Sequence, residues 1–238
     1  MAELTGREDG YSAGKGGSMH MFSKENNFYG GHGIVGAQVP IGTGIAFTHK
    51  YNGEKNICRT YIGDGAMNNG QVFEAFNLAA LWKLPVLYII ENNKYGMGTS
   101  VDRAAAGLDL YKRGEAFGIP GEKVDGMNVF SVIEAADKAG KYVREGNGPY
   151  IIEVQTYRYR GHSMSDPAKY RTKEELDNYK QTDPIEIVKA EILKKKIATN
   201  DEIEKINKDI LEEIKNAAEF AINSPFPKDG ELYTDVYL

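Results

Sequence analysis

The chain has 238 residues, of which 41% are hydrophobic, enough for a substantial core in one large domain or two small ones. The formal net charge of −5 argues against nucleic acid as the main partner, and no run of about 18 apolar residues is present to cross a membrane. The single cysteine, Cys58, excludes an internal disulfide and a cysteine-based metal cage, and it fits a reducing compartment.

The first 45 residues are rich in glycine and show no helical or strand periodicity. A flexible linker would fit this composition, and so would an ordered loop that wraps around a ligand and a partner. The apolar residues Met19, Phe22 and Phe28 favour the ordered loop, because solvated linkers are poor in such side chains. Small residues are frequent between positions 35 and 49, which predicts a helix packed closely against a neighbouring element.

The most informative segment combines strand and helix patterns with two polar turns. An apolar strand, a Gly-Asp-Gly turn, a helix, a second strand and an Asn pair follow one another, over residues 57–62, 63–65, 72–84, 86–90 and 92–93. In parallel sheets, ligands bind where the carboxyl ends of the strands meet. We therefore expect Asp64 and Asn93 to lie together at one edge of a sheet.

These residue types suit a hard cation that carries a diphosphate. Mg²⁺ takes about six oxygen ligands, often one or two from the protein and the rest from phosphates and water. Asp64 offers a carboxylate oxygen and Asn93 a carbonyl oxygen. Gly63 and Gly65 allow the backbone to approach phosphate oxygens without a Cβ clash. A Gly-Asp-Gly run alone could also be an ordinary turn, so the site depends on the whole segment.

Strand and helix patterns continue to alternate after this segment. A loop with a short helix is predicted over 102–121, a helix over 130–144 and a strand over 149–156. This order predicts an α/β fold, doubly wound around a mainly parallel sheet. A dinucleotide-binding domain is not supported, because no Gly-x-Gly-x-x-Gly opens a helix after a strand.

Helix signals dominate beyond Tyr170. Thr172 and Thr199 each begin a capping-box pattern with a glutamate three residues later, and Asp183 before a proline suits a helix N-cap. The last helix repeats isoleucine at helical spacing, at positions 203, 206, 210 and 214. We expect this helix to pack on the flank of the domain, with a coiled coil as the alternative. The predicted domains are an α/β ligand-binding domain over 1–170 and a helical C-terminal extension over 171–238, packed on the same domain.

Several motifs together resemble one family. They are Lys15-Gly16-Gly17-Ser18-Met19-His20-Met21, Gly33-Ile34-Val35-Gly36-Ala37-Gln38, Gly63-Asp64-Gly65-Ala66, Glu91-Asn92-Asn93-Lys94-Tyr95-Gly96-Met97-Gly98 and Tyr157-Arg158-Tyr159-Arg160-Gly161-His162-Ser163. Over nearly its whole length the chain is similar to alpha subunits of the thiamine-diphosphate-dependent 2-oxo acid dehydrogenases, those of pyruvate dehydrogenase above all. The resemblance implies the thiamine-diphosphate-binding fold, oxidative decarboxylation of pyruvate, and acetyl transfer to a lipoyl domain.

The resemblance also implies roles for individual residues. Asp64, Asn93 and the backbone carbonyl of Tyr95 would bind Mg²⁺, and His162 would be catalytic, beside the cofactor in the active-site channel. The implied cofactor-binding residues are Gly33, Val35, Asp64, Gly65, Ala66, Asn93, Tyr95 and His162. Of these, Gly65 and Ala66 would contact the diphosphate through their backbones, and Gly33 and Val35 the aminopyrimidine ring. Gly33 could otherwise be an ordinary turn glycine, and a loop histidine such as His162 is often simply exposed.

Partners follow from the same resemblance. A beta subunit would complete an alpha2-beta2 heterotetramer and supply the glutamate that activates the cofactor, and a lipoyl-bearing acyltransferase would accept the acyl group. The implied location is the cytoplasm of a bacterium, which we favour, or the mitochondrial matrix of a eukaryote.

The beginning of the chain lacks a feature of the family. Members normally carry several dozen residues before this point, including a Tyr-Arg pair that contacts the diphosphate, and we find no counterpart here. We therefore expect an N-terminally shortened chain that is inactive by itself. The alternatives are an alpha subunit of an acetoin or other 2-oxo acid dehydrogenase, or a catalytically incomplete interaction fragment.

Overall fold

The computed structural model describes residues 1–236, which form six β-strands and seven α-helices. The strands are β1 (Cys58–Gly63), β2 (Val86–Asn92), β3 (Tyr95–Gly96), β4 (Thr99–Ser100), β5 (Gly121–Asp125) and β6 (Tyr150–Gln155). The helices are α1 (Gln38–Tyr51), α2 (Gly70–Leu81), α3 (Val101–Ala104), α4 (Val129–Arg144), α5 (Lys173–Lys180), α6 (Pro184–Lys194) and α7 (Asn200–Asn223). Short 3₁₀ helices cover Glu3–Thr5, Ala66–Asn68, Leu110–Phe117 and Asp229–Tyr233.

Four parallel strands form the main sheet, in the order β1-β2-β6-β5. Helices α1 and α2 bury Val39, Phe76 and neighbouring apolar residues against one face. Helix α4 buries Ala139 and Val143 against the other. The predicted α/β fold, with helices on both sides of a parallel sheet, is confirmed.

The predicted strands and helices of this region lie within a few residues of the observed ones, but β5 was not predicted. This strand has the sequence Gly-Glu-Lys-Val-Asp, with Val124 as its one strongly apolar residue. It pairs with β6 alone and is the edge of the sheet, so it needs little apolar surface. The hydrophobic pattern therefore carries almost no strand signal here.

The chain divides into two compact units, which we call the terminal unit and the sheet unit. The terminal unit consists of residues 1–34 and the residues from 192 onward, and the sheet unit of Val35–Glu191. The boundary within α6 and the joining of both chain ends into one unit differ from the domains predicted at 1–170 and 171–238. That domain division stays a prediction.

Within the terminal unit, the beginning of the chain pairs with its last quarter. The backbone N–H of Glu8 donates to the Pro225 carbonyl at 2.9 Å, and the Arg7 guanidinium donates to the Ser224 carbonyl at 3.1 Å. Lys15 forms an ion pair with Glu231 at 2.9 Å. The glycine-rich beginning of the chain is thus bonded at several points.

The isoleucine face of helix α7 is largely exposed, and the packing of this helix on the domain stays a prediction. Ile206, Ile210 and Ile214 are all at least half exposed, whereas Ala221 near the end of the helix is buried. Among the residues described, no helix is both long and apolar enough to cross a membrane.

The two predicted capping boxes have different outcomes. At Thr199 both reciprocal bonds with Glu202 are made. At Thr172 the hydroxyl accepts from the Glu175 backbone N–H at 3.1 Å. The Glu175 carboxylate, however, accepts from the hydroxyl of Tyr95 on β3 and not from the backbone N–H of Thr172 at the helix start.

Candidate functional site

Asp64 and Asn93 lie at neighbouring strand ends in the sheet unit, as the sequence predicts. Asp64 directly follows β1 and Asn93 directly follows β2, and the two strands pair in parallel up to Gly63 and Glu91. The backbone N–H of Asn93 donates to the Glu91 carbonyl at 3.2 Å, and it also favours the charged form of the Asp64 carboxyl, which lowers the pKa of Asp64. The side-chain oxygen of Asn93 accepts from the backbone N–H of Tyr95 at 3.3 Å. Tyr95 is the first residue of the β3–β4 hairpin.

The Asp64 carboxyl is buried, with 3% of the residue exposed. Burial raises the pKa of this carboxyl above its ordinary value, because a carboxylate loses hydration there. Its own N–H and that of Asn93, with the charges of Arg158 and Lys94, offset the rise only in part. A cation beside Asp64 would supply the charge compensation that the protein leaves incomplete.

Two glycines bring the Asp64 turn and the hairpin into contact. A Cβ atom at Gly96 would lie 3.4 Å from the Cα atom of Gly65 and 3.8 Å from Oδ2 of Asp64. Ala66, buried, then opens the 3₁₀ helix that leads to α2. The backbone of residues 64–66 is therefore held close to the hairpin backbone, with no side chain between them at Gly65 and Gly96.

Tyr95 is fixed through its side chain. Its hydroxyl donates to both carboxylate oxygens of Glu175, at 3.0 and 2.9 Å, and its ring packs against Tyr170 with centroids 5.2 Å apart. Burial and the Glu175 carboxylate raise the pKa of Tyr95 to about 12. The side chain thus holds in place the residue whose carbonyl is the predicted metal ligand.

Arg158, a residue without a predicted role, belongs to this site. Its guanidinium donates to the Tyr95 carbonyl at 3.4 Å and to the Met97 carbonyl at 2.6 Å. It also donates to the Tyr170 hydroxyl at 2.9 Å. A basic residue three positions after β6, at the same edge of the sheet as Asp64, was the available signal. A guanidinium here suits an anionic ligand such as a diphosphate.

His162 lies on an exposed loop that this network connects to the hairpin. The Tyr170 hydroxyl donates to Oδ2 of Asp166 at 2.8 Å, and the same oxygen accepts from the His162 backbone N–H at 2.7 Å. Three side chains therefore link the Tyr95 carbonyl to the His162 loop. The imidazole itself is exposed to solvent.

The structure places Gly33 and Val35 in different units. Gly33 belongs to the terminal unit, where its Cα faces the His20 ring. Val35 is the first residue of the sheet unit, and its carbonyl accepts from the side chain of Gln71 at 3.0 Å. Gln71 follows the Asp64 turn in the chain. The predicted contact of both backbones with one aminopyrimidine ring stays a prediction.

The candidate metal ligands are three different kinds of oxygen donor. Within residues 1–236, no cluster of three or more His, Cys, Asp and Glu side chains that could hold a metal is present. One carboxylate, one amide oxygen and one backbone carbonyl are available instead, from Asp64, Asn93 and Tyr95. All three are oxygen donors, as Mg²⁺ prefers, and they leave most of its coordination positions to phosphate and water.

The chain is similar over its length to known proteins of one family. The family model "Dehydrogenase E1 component" matches residues 1–229. A protein of Rickettsia felis named pyruvate dehydrogenase E1 component subunit alpha is 60% identical over 237 residues, which is all of this chain and 73% of the relative. Proteins of the same name from Rhizobium meliloti and, as a mitochondrial form, from Dictyostelium discoideum are 59% and 57% identical. The chain covers 69% and 62% of these two relatives.

Proposed function

The chain belongs to the dehydrogenase E1 component family, and on that premise we propose that it is the alpha subunit of a pyruvate dehydrogenase E1 component. The reaction is the thiamine-diphosphate-dependent oxidative decarboxylation of pyruvate, followed by transfer of the acetyl group to a lipoyl domain. The observation that carries the proposal is the buried carboxylate of Asp64, with incomplete charge compensation, beside Asn93 at the ends of two parallel strands.

In this proposal Asp64, Asn93 and the carbonyl of Tyr95 would hold Mg²⁺, whose charge would offset that of the cofactor's diphosphate. The burial of Asp64 supports the assignment, because a desolvated carboxylate gains most from a cation. The backbones of Gly65 and Ala66 would contact the diphosphate. Gly65 supports this assignment because it presents backbone without a side chain next to the hairpin at Gly96.

Thiamine diphosphate, when bound, supplies a nucleophilic carbon and an electron sink for the departure of CO₂. The residues of this chain bind and orient that group. Arg158 contributes positive charge at the sheet edge and holds the hairpin carbonyls in place. His162 lies on the loop connected to Arg158 through Tyr170 and Asp166, and it would donate a hydrogen bond to the phosphates or to the substrate carboxylate.

The proposal includes a partner chain. The backbones of Gly33 and Val35 would hold the aminopyrimidine, and a beta subunit in an alpha2-beta2 heterotetramer would supply the glutamate that activates it. The acetyl group then passes to a lipoyl-bearing acyltransferase. The similar proteins are bacterial and mitochondrial, so the proposed compartments are the bacterial cytoplasm and the mitochondrial matrix.

Titration of cofactor into the full chain, alone and assembled with a beta subunit, tests the proposal. We expect thiamine diphosphate to bind in calorimetry only when Mg²⁺ is present, and we expect the assembly to release CO₂ from pyruvate with an artificial electron acceptor. Faster turnover of acetoin or of branched-chain 2-oxo acids would reassign the substrate. Equal cofactor binding with and without Mg²⁺ would remove the metal site.

A further inference from the structure

A second buried acid lies behind the candidate site, and the proposed reaction assigns it no part. Glu153, on β6, has no exposed surface. Its carboxylate accepts from the Asn92 side-chain amide at 2.8 Å, the Gln155 side-chain amide at 2.5 Å and the Tyr111 backbone N–H at 3.0 Å. A buried carboxylate is tolerated only when such donors satisfy it, so each of these donors has its orientation determined by Glu153.

One of these bonds sets the end of β2. Because the Asn92 side chain gives its NH₂ group to Glu153, its Oδ1 atom is left to accept from the Lys94 backbone N–H at 3.2 Å. Lys94 takes a left-handed conformation with φ 75°, which is uncommon for a residue other than glycine. The amide of Asn92 thus closes a tight turn around Asn93, the proposed ligand.

The geometry of the strand extends the influence of Glu153 from Asn92 to Asn93. Successive side chains of an extended chain point to opposite faces. Asn92 is bonded to Glu153 on the neighbouring strand, and Asn93 is the next residue; its N–H donates to the Glu91 carbonyl at 3.2 Å and its Oδ1 accepts from the Tyr95 N–H at 3.3 Å. Holding Asn92 toward β6 therefore fixes the position of Asn93, which follows it directly in the chain.

The Lys94 side chain provides a second connection between this turn and Glu153. The Lys94 ammonium group donates to the side-chain oxygen of Gln155, and the amide NH₂ of Gln155 donates to Glu153. Lys94 and Glu153 also attract each other electrostatically. The backbone turn and the side chain of Lys94 are therefore both held by bonds that converge on Glu153.

We propose that Glu153 is a positioning residue, which sets the Asn93 amide and the Tyr95 carbonyl for the cation without touching it. The inference rests on the proposed function for the identity of the cation, and on the hydrogen bonds above for the role of Glu153. Removal of a residue that orients a metal ligand typically weakens metal binding by about 10- to 100-fold.

Glu153→Gln is the decisive variant, because it keeps the shape of the side chain and replaces one acceptor oxygen with an NH₂ donor. That NH₂ group must face either the Tyr111 N–H or the amides of Asn92 and Gln155, all of which are donors. In the full chain assembled with its beta subunit, we expect the affinity for Mg²⁺ with thiamine diphosphate to fall about tenfold or more in calorimetry.

A double variant tests the specific pair. Adding Asn92→Asp to Glu153→Gln exchanges carboxylate and amide, so that Asp at position 92 accepts both from the new Gln and from the Lys94 N–H. We expect part of the lost affinity to return. A further loss would contradict the proposed orientation of the Asn92 amide.

Thr43→Val is the matched control for loss of a buried hydrogen bond. Thr43 is buried and bonds the hydroxyl of Tyr88, on the same strand as Asn92, at 2.7 Å. We expect this variant to lose thermal stability as Glu153→Gln does, with affinity unchanged. Equal weakening of binding in both variants would mean that Glu153 acts through general stability, and unchanged affinity in Glu153→Gln would overturn the inference.

Hydrogen exchange without cofactor separates this inference from the proposed function. Amides of residues 92–97 should exchange faster in Glu153→Gln than in the parent chain or in Thr43→Val. Unchanged exchange of these amides would refute the proposal that Glu153 holds the turn in place, whichever ligand the site binds. If the parent assembly did not bind Mg²⁺ together with the cofactor, the proposed function would be wrong and this inference would no longer concern a cation. The exchange result would still show whether Glu153 holds the turn in place.

Discussion

Two buried carboxylates, one in each unit, have opposite surroundings. Glu3 in the terminal unit is 2% exposed and accepts the backbone N–H groups of residues 12, 14, 16 and 17, at 2.6 to 3.0 Å. Asp64 in the sheet unit is 3% exposed, but the N–H groups directed to it are its own and that of Asn93.

The pKa values of the two acids follow these surroundings. Burial alone would raise both, but the four N–H bonds lower the pKa of Glu3 below its ordinary value, whereas burial raises the pKa of Asp64. Both residues have almost no exposed surface, but Glu3 is satisfied by four N–H groups of its own chain and Asp64 has fewer such donors. Glu3 therefore stabilises a loop, whereas Asp64 is the residue at which we propose a cation binds.

Among substitutions that test this contrast, we expect the largest effect at Asp64. In Asp64→Asn we expect the affinity for Mg²⁺ with thiamine diphosphate to fall by at least about 100-fold, more than removal of a supporting residue costs. We also expect the chain without ligand to be no less stable, because burial costs an amide less than a carboxylate. Calorimetry and thermal unfolding measure the two quantities.

Asp137→Asn is the control for Asp64→Asn, since Asp137 is an exposed aspartate on α4 in the same unit. It should change neither affinity nor stability. A clear loss of stability in ligand-free Asp64→Asn would show that Asp64 is satisfied within the chain, and the contrast with Glu3 would then disappear.

Glu3→Gln should have the opposite profile. The amide nitrogen of Gln would face two of the four backbone N–H groups, and unsatisfied buried donors cost about 1–3 kcal/mol of unfolding free energy. Denaturant unfolding measures this loss. Glu25→Gln, at an exposed glutamate of the same unit that accepts from the Ser23 hydroxyl, should change stability far less.

The pH dependence of stability sharpens the same contrast. Because the pKa of Glu3 is lowered in the folded chain, its contribution is complete above the ordinary value of 4.5 and is lost as the pH falls through the folded value. The stability difference between the parent chain and Glu3→Gln should thus be constant near neutral pH and shrink below about pH 4.5. A difference that grew on acidification would reverse the sign and refute the assignment.

The smallest expected effect concerns the Tyr95 side chain. Tyr95→Phe keeps the backbone carbonyl but loses the hydroxyl that bonds Glu175, a bond worth about 1 kcal/mol. We expect cofactor affinity to fall about three- to tenfold, far less than in Asp64→Asn. Tyr51→Phe, at an exposed tyrosine of α1, is the control.

Glu175→Leu should reproduce the Tyr95→Phe effect, and the double variant should add little to either change, because both remove one interaction. Additive losses would mean that Glu175 and Tyr95 act on the site independently. In that case the side chain of Tyr95 would not be what holds its carbonyl.

Much of the candidate site follows from short-range pattern. The apolar runs before Asp64 and Asn93 mark two buried strands, and parallel strands place the following residues at one edge of a sheet. By contrast, β5 has almost no apolar pattern, and the capping role of the Glu175 carboxylate was wrongly predicted. Glu175 meets a hydroxyl 80 positions earlier in the chain, and no local pattern encodes such a contact.

The sequence by itself determined the α/β class, the Gly-Asp-Gly and Asn-Asn pair at neighbouring strand ends, and the resemblance to one enzyme family, since periodicity, turn chemistry and motif spacing are local properties. Only the tertiary structure decided which residues support that site. Glu153 reaches Asn92 across 61 positions and Arg158 reaches Tyr95 across 63. Both contacts depend on the place of β6 beside β2 and on their register, which arise from packing of the whole sheet.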